Sequence, residues 1–303
     1  MDNVEQRIAM VRNDREHGSR WLVHETISIL YDLATQSTTS PGEGLRRVQD
    51  AGRELAKARP AMAAIVGAAG RILSARGGLE GMAQEAARLL KEYDSAIERI
   101  TEYARPLLAG TLMTHSLSGT VLPVLTNCLP QIDRVIVLEG RPRYEGRDVA
   151  LALSKAGAAI TLITDAQADI FLPQCHAVVV GADSILANGD ILNKAGTALL
   201  AWAAHGHSIP FYVLCETLKI SAQDWSGDLT QLEEKEATEV LEQDIPGVTV
   251  RNFYFDITLS RLVTGVITEQ GKIGRREIRQ MASQLKWGLK VGLSAAEVDK
   301  AAN

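Results

Sequence analysis

Five short apolar runs, Thr111 to Thr114, Arg134 to Glu139, Ala159 to Thr164, Ala177 to Gly181 and Pro210 to Cys215, dominate the chain after residue 107. Helix-patterned stretches separate most of them: Leu117 to Cys128, Gly146 to Ala156, Ala166 to Leu172 and Asn193 to His205. Strands that are apolar throughout need cover on both faces, and helices placed between them supply it, which is the pattern of a parallel sheet built from βαβ units. Before residue 107 the period is helical. Met82, Ala86, Leu89, Tyr93, Ile97, Ile100 and Ala104 recur at three and four residues, with Glu85, Lys91, Glu92, Glu98 and Arg99 elsewhere on the turn, so one stripe is buried. Trp21 to Gln36 reads likewise, with Leu22, Ile29, Leu30 and Leu33 on one side, and Ser37-Thr38-Thr39-Ser40-Pro41-Gly42 ends it. Two more helices run from about Pro41 or Gly44 to Lys57 and through Ala61 to Leu73. The expected class is α/β, with a helical N-terminal domain over 1–107 and a Rossmann-like domain over 108–303 that carries the ligand site.

Beyond the alternating region, Ser221 to Gln243 turns polar and acidic and reads as a solvated loop or surface helix. Val250 to Asp256 reads as a return strand and Arg275 to Lys290 as a closing helix. The 303 residues suit two domains, and a net charge of −5 without a long basic run disfavours a nucleic-acid partner. Met1 to Arg15 is charged and lacks an apolar leader, and no run approaches the about 18 apolar residues of a membrane span, so a cytoplasmic protein with no membrane partner is expected. Cys128, Cys175 and Cys215 lack metal-ligand spacing and read as buried, reduced thiols.

The run from Val178 to Thr197 carries the chemistry. Its β-branched strand delivers Asp183 to a carboxyl end, where α/β proteins place ligands. A turn follows at Asn188-Gly189, and Asn193-Lys194 are expected to open an alanine-rich helix whose free N–H groups and added lysine would seat a phosphate. Gly18-Ser19-Arg20-Trp21, Ala58-Arg59-Pro60-Ala61 and the stretch Glu139 to Arg147, with Arg141, each place a guanidinium beside Gly or Pro. Read singly these are ion pairs; read with Lys194 they suit a phosphorylated ligand held between the two domains. Nucleotide-loop, zincin, nucleophile-elbow and paired CxxC motifs are absent from the sequence, and no metal or cofactor is expected. His205 and His207 read as helix C-terminal residues, and His115 as a hydrogen-bonded histidine beside Ser116.

In their order, these segments resemble the superfamily of methylthioribose-1-phosphate isomerase, ribose-1,5-bisphosphate isomerase and the alpha, beta and delta subunits of translation initiation factor two-B. The resemblance runs from Gly18-Ser19-Arg20 through Ala58-Arg59-Pro60, Met113-Thr114-His115-Ser116, Glu139-Gly140-Arg141-Pro142, Gly181-Ala182-Asp183 and Asn193-Lys194-Ala195-Gly196-Thr197. It continues through Ile209 to Val213, Glu216-Thr217-Leu218-Lys219 and Phe255-Asp256-Ile257-Thr258 to Ile267-Thr268-Glu269-Gln270-Gly271. It implies conversion of an aldose 1-phosphate to a ketose 1-phosphate, with Asp183 as acid, Asn193 and Lys194 binding substrate, and Arg20, Arg59 and Arg141 contacting phosphates or ribose. A homodimer is implied too. Where those isomerases read Thr-His-Cys, this chain reads Thr114-His115-Ser116. A thiol ionises readily, but a hydroxyl needs an adjacent base. Two readings follow: an isomerase with Ser116, helped by His115, in the proton-transfer position, or a non-catalytic factor two-B-like protein sensing a nucleotide or sugar phosphate.

Overall fold

The computed structural model describes residues 4–14, 17–37, 40–59 and 61–285. Parts of three expected segments, namely the charged N-terminus at 1–3 and 15, the turn at 38–39 and the closing helix at 286–290, lie outside the described residues. Five helices precede the first strand: α1 (Val4–Asn13), α2 (Ser19–Thr35), α3 (Pro41–Ala58), α4 (Ala63–Leu73) and α5 (Gly78–Ala104). The apolar stripe of α5 is buried at Met82, Ala86, Leu89 and Tyr93 against Leu22, Ile29, Leu30 and Leu33 of α2. Its last turns enter a different core, where Ala96, Ile100 and Ala104 join Leu112, Val135, Val137 and Val179 of the sheet.

The alternating region then follows as β1 (Gly110–Thr114), α6 (Val121–Cys128), β2 (Ile132–Leu138), α7 (Glu145–Lys155), β3 (Ile160–Ile163), α8 (Ala168–Phe171) and β4 (Ala177–Val180). After β4 come β5 (Ser184–Ile185), β6 (Ile191–Lys194), α9 (Thr197–Gly206), β7 (Phe211–Leu214), β8 (Phe255–Thr258), β9 (Gly265–Thr268) and β10 (Gly271–Ile273). Seven strands form one sheet in the order β10-β9-β7-β4-β1-β2-β3, parallel except for β10. Met113 sits between Ile136 and Val178, and all four β4 residues are buried, as the covered faces of a parallel sheet require. The order reverses between β1 and β4, so the loops leaving their carboxyl ends diverge and open a crevice. Gly146 lets α7 seat on the end of β2, because a Cβ there would lie 1.9 Å from the Leu138 carbonyl oxygen. No helix among the described residues is long and apolar enough to cross a membrane.

Three expectations are corrected. Asn193 and Lys194 do not open a helix; they end β6, which pairs antiparallel with β5 and with β8, and α9 begins after a left-handed Gly196. The reason is a long-range pairing, Asn193 opposite Asp256, that overrides the local alanine-rich pattern. The return strand accordingly starts at Phe255, where that pairing begins, rather than at Val250. The acidic stretch is only partly solvated: Glu233 is 8% exposed, with its carboxylate 3.4 Å from Arg59 Nε and 2.9 Å from Lys235 Nζ.

Candidate functional site

A cavity of about 360 Å³ lies over the crevice between β1 and β4, within the size range of small-ligand sites. His115 and Ser116 enter its wall from the loop after β1, Asp183 from the loop after β4, Asn193 and Lys194 from the end of β6, and Arg59 from the end of α3. Ser19, Arg143, Glu145, Lys219 and Lys235 line it as well.

Asp183 sits over a buried lysine. Burial is the main cause that pushes its carboxyl above the ordinary range, and Lys219 is the foremost group pulling the other way. Arg59 and a hydrogen bond from Ser19 also favour the charged form, whereas Glu233 opposes it. Lys219 is 2% exposed and donates to the Ala182 carbonyl at 2.6 Å and to Ser19 Oγ at 3.0 Å, with Glu216 at 3.9 Å. An aspartate in such a setting can give a proton at a pH where a free one cannot.

On the opposite wall, Lys194 Nζ lies 2.8 Å from Glu145 Oε1 and 4.6 Å from the Tyr254 ring centroid. Ser116 donates its hydroxyl to the same Glu145 Oε1 at 3.2 Å. Asn193 is buried and donates from Nδ2 to Thr197 Oγ1 at 3.0 Å, which fixes its amide. His115 Nε2 lies 2.9 Å from the Ala195 carbonyl, which can only accept, so this nitrogen carries the proton. Burial lowers the pKa of His115, which favours the neutral ring, and its partner is that carbonyl rather than Ser116. Its other nitrogen is 3.9 Å from Asp165.

The structure does not bring Arg20 or Arg141 to this wall. Arg20 pairs with buried Glu216 at 2.5 Å and stacks 4.3 Å over Tyr93, tying α2 to the loop after β7. Arg141 is exposed and donates to the Tyr144 hydroxyl at 2.6 Å, while Arg143 lines the cavity two residues on. The expected phosphate seat at the start of α9 is occupied from within: Asp256 accepts from Gly196 N at 2.7 Å and from Ala198 N at 3.1 Å. His207 pairs with Asp169 at 2.7 Å, and no cluster of metal-binding side chains occurs among the described residues. The three cysteines are free and buried, with the Cys175 thiol raised by burial to about 11.

Lys219, Ser19 and Glu145 escaped the sequence reading, although each stood inside a quoted segment. A lysine three residues after an acid behind an apolar strand, and an acid at a helix start beside a conspicuous arginine run, were the available signals.

The initiation factor 2 subunit family model matches residues 15–274. A Pyrococcus horikoshii protein named as translation initiation factor eIF-2B subunit 2-like is 31% identical over 276 residues, covering 89% of this chain and 96% of that protein. Ribose 1,5-bisphosphate isomerase of Archaeoglobus fulgidus is 41% identical over 167 residues, 54% of this chain and 53% of the relative. The crystal structure of the translation initiation factor eIF-2B of Pyrococcus horikoshii OT3 superposes with a TM-score of 0.80 at 29% identity, covering 92% of this chain and 99% of that one. A match over that span, joined to a relative aligned nearly end to end, makes this chain a member of the initiation factor 2 subunit family.

Proposed function

We propose that this protein converts a phosphorylated aldopentose, an aldose 1-phosphate, to the ketose 1-phosphate in the cavity above the β1–β4 crevice. The observation that carries the reading is the placement of Asp183, raised by burial, in one cavity with Lys194, Lys219 and Arg59. The cations suit the phosphate charge, and the acid suits the ring oxygen. An anomeric phosphate blocks spontaneous ring opening. Asp183 therefore protonates the ring oxygen as its bond to C1 breaks, and a second group moves the C2 proton to C1. Asn193 holds sugar hydroxyls. The chemistry needs no cofactor, and the Archaeoglobus relative, an isomerase by name, supports the class.

The test is thermal shift with a panel of phosphorylated pentoses and nucleotides, followed by turnover assays on the binders. A ligand at about 100 times its Kd adds about 2.7 kcal/mol, a readable rise in melting temperature. Asp183→Asn is expected to keep the shift and to lose turnover by about 100-fold or more, the contribution of a positioned acid. A variant with full rate refutes the reading.

Ser116 in the thiol position and the eIF-2B name of the relative spanned end to end favour a second reading, a regulatory protein that binds a sugar phosphate or nucleotide without converting it. Ligand-dependent stabilisation with no product selects it. In either case we infer a cytoplasmic protein of two domains meeting near residue 107. We also infer a homodimer, with exposed Leu151 on α7 and Leu162 on the edge strand β3 as the apolar surface available. Sedimentation at micromolar concentration tests that assembly.

A further inference from the structure

The isomerase reading leaves the C2-to-C1 proton transfer without an agent, because a serine hydroxyl is too weak a base to take a carbon-bound proton unaided. His115 does not fill the gap. Its Nε2–H is held by the Ala195 carbonyl, its basic Nδ1 faces Asp165 at 3.9 Å, a residue that does not line the cavity, and a Cβ on Gly196 would lie 2.9 Å from Nε2, so the ring is wedged into the fold. Asp148, the other acid that α7 offers to the cavity, is exposed.

Glu145 is differently placed. It is the first residue of α7, an end that favours a carboxylate, and Gly146 lets the helix lie directly against the end of β2. Tyr144 before it and Ser116 opposite it are both held with positive φ, 58° and 67°, a conformation that side-chain-bearing residues adopt only when their surroundings impose it. The result is that Ser116 Oγ and Lys194 Nζ converge on one oxygen, Oε1, at 3.2 and 2.8 Å. The second oxygen, Oε2, is buried without a hydrogen-bond partner among the described residues. Buried polar atoms are nearly always satisfied. Glu216 shows the same pattern, with Oε1 held by Arg20 and Thr120 and Oε2 without a hydrogen bond among the described residues, but Glu216 does not line the cavity and Glu145 does.

We propose that Glu145 is the catalytic base of this site, with Ser116 and Lys194 as the residues that position it; the proposal rests on the isomerase reading above. After Asp183 has protonated the ring oxygen and the bond from that oxygen to C1 has broken, C1 is electron-poor. The Glu145 carboxylate takes the C2 proton, and the C–H electron pair becomes the C1=C2 double bond of an enol phosphate. Protonated Glu145 then returns the proton to C1 while the C2 hydroxyl gives its proton to the Asp183 carboxylate, and the C2 carbonyl forms. Both carboxyls end as they began. No oxidant or reductant is involved.

Glu145→Gln tests this in the full chain, with ribose 1,5-bisphosphate as the probe. The amide oxygen can still accept from Ser116 and Lys194 but cannot take a proton. Turnover is expected to fall by about 100-fold or more, while the thermal shift given by the probe stays at the wild-type value. Glu145→Asp, which keeps a carboxylate, is expected to retain measurable turnover and guards against a folding defect in the amide variant. If Glu145→Gln turns over at the wild-type rate, the proposal is wrong and the isomerase reading stands. If it abolishes the thermal shift along with turnover, Glu145 holds ligand and is not the base. If the wild-type protein binds the probe and never converts it, the isomerase reading fails first and this proposal falls with it.

Discussion

Replacing Lys219 by methionine separates what holds the site together from what the site does. The side chain is 2% exposed and makes two charge-assisted hydrogen bonds, to the Ala182 carbonyl and to Ser19 Oγ. Each such bond contributes about 1.5–3 kcal/mol. Against that loss stands the relief of no longer burying an ammonium, which costs several kcal/mol in a dry interior. Glu216 does not become an orphan, because Arg20 at 2.5 Å and the Thr120 hydroxyl at 2.9 Å remain on its Oε1. The net expectation is about 3 kcal/mol of destabilisation, or a fall of about 5 °C in melting temperature for a chain of 303 residues. The electrostatic effect is specific. Lys219 is the foremost group opposing the burial of a charged Asp183, so its loss pushes that carboxyl further up. Differential scanning calorimetry with and without ribose 1,5-bisphosphate reads both effects, and the ligand-induced rise is expected to shrink because a cavity cation is gone. A variant that melts within about 1 °C of wild type, with an undiminished ligand response, would refute the argument that Lys219 braces Asp183.

Asp256 is pushed by burial to about 6 from an ordinary 3.8, with the Gly196 and Ala198 N–H groups working the other way. The folded state therefore binds an extra proton between those values, and stability declines by about 3 kcal/mol as pH rises through that window. Asp256→Asn should flatten the slope in denaturant melts between pH 4 and 7; an unchanged slope assigns it elsewhere. Ser116→Cys alone should raise turnover by less than about threefold, because Glu145 beside the new sulfur disfavours a thiolate. In the Glu145→Gln background the same thiol is freed from that charge, and a gain of about tenfold or more over the single amide variant is expected. Steady-state rates of the four proteins decide it, and equal gains in both backgrounds would count against any coupling.

How much of this was legible depended on the range of the interactions. β4 and the arrival of Asp183 at its end could be read locally, because Val178, Val179 and Val180 favour a strand wherever they lie. The environment of Asp183 could not, since Lys219 reaches Ser19, 200 residues away, only once α2 has docked. The same blindness misplaced Arg20. A guanidinium beside Gly18 reads as a ligand contact until Glu216, 196 residues later, is found to neutralise it. Asn193 and Lys194 were recognised as site residues but set on the wrong element, because β8, their pairing partner, lies far along the chain while the alanine-rich run that follows them is local. Glu145 was masked by its neighbours: in a stretch of three arginines an acid looks like a counter-ion, and only the turn at Ser116 shows where it points.

The topological reversal between β1 and β4 has a last consequence for how the protein responds to change. Ser116, Glu145 and Asp183 all hang from the sheet, rooted in the ends of β1, β2 and β4, whereas Arg59 and Ser19 come from the helices before it. The machinery that handles protons is thus mounted on one chassis, and the helical half contributes grip. Substitutions scattered through α1 to α5 should therefore register as altered ligand occupancy at a constant rate per occupied site, and those along the sheet rim as altered rate at constant occupancy.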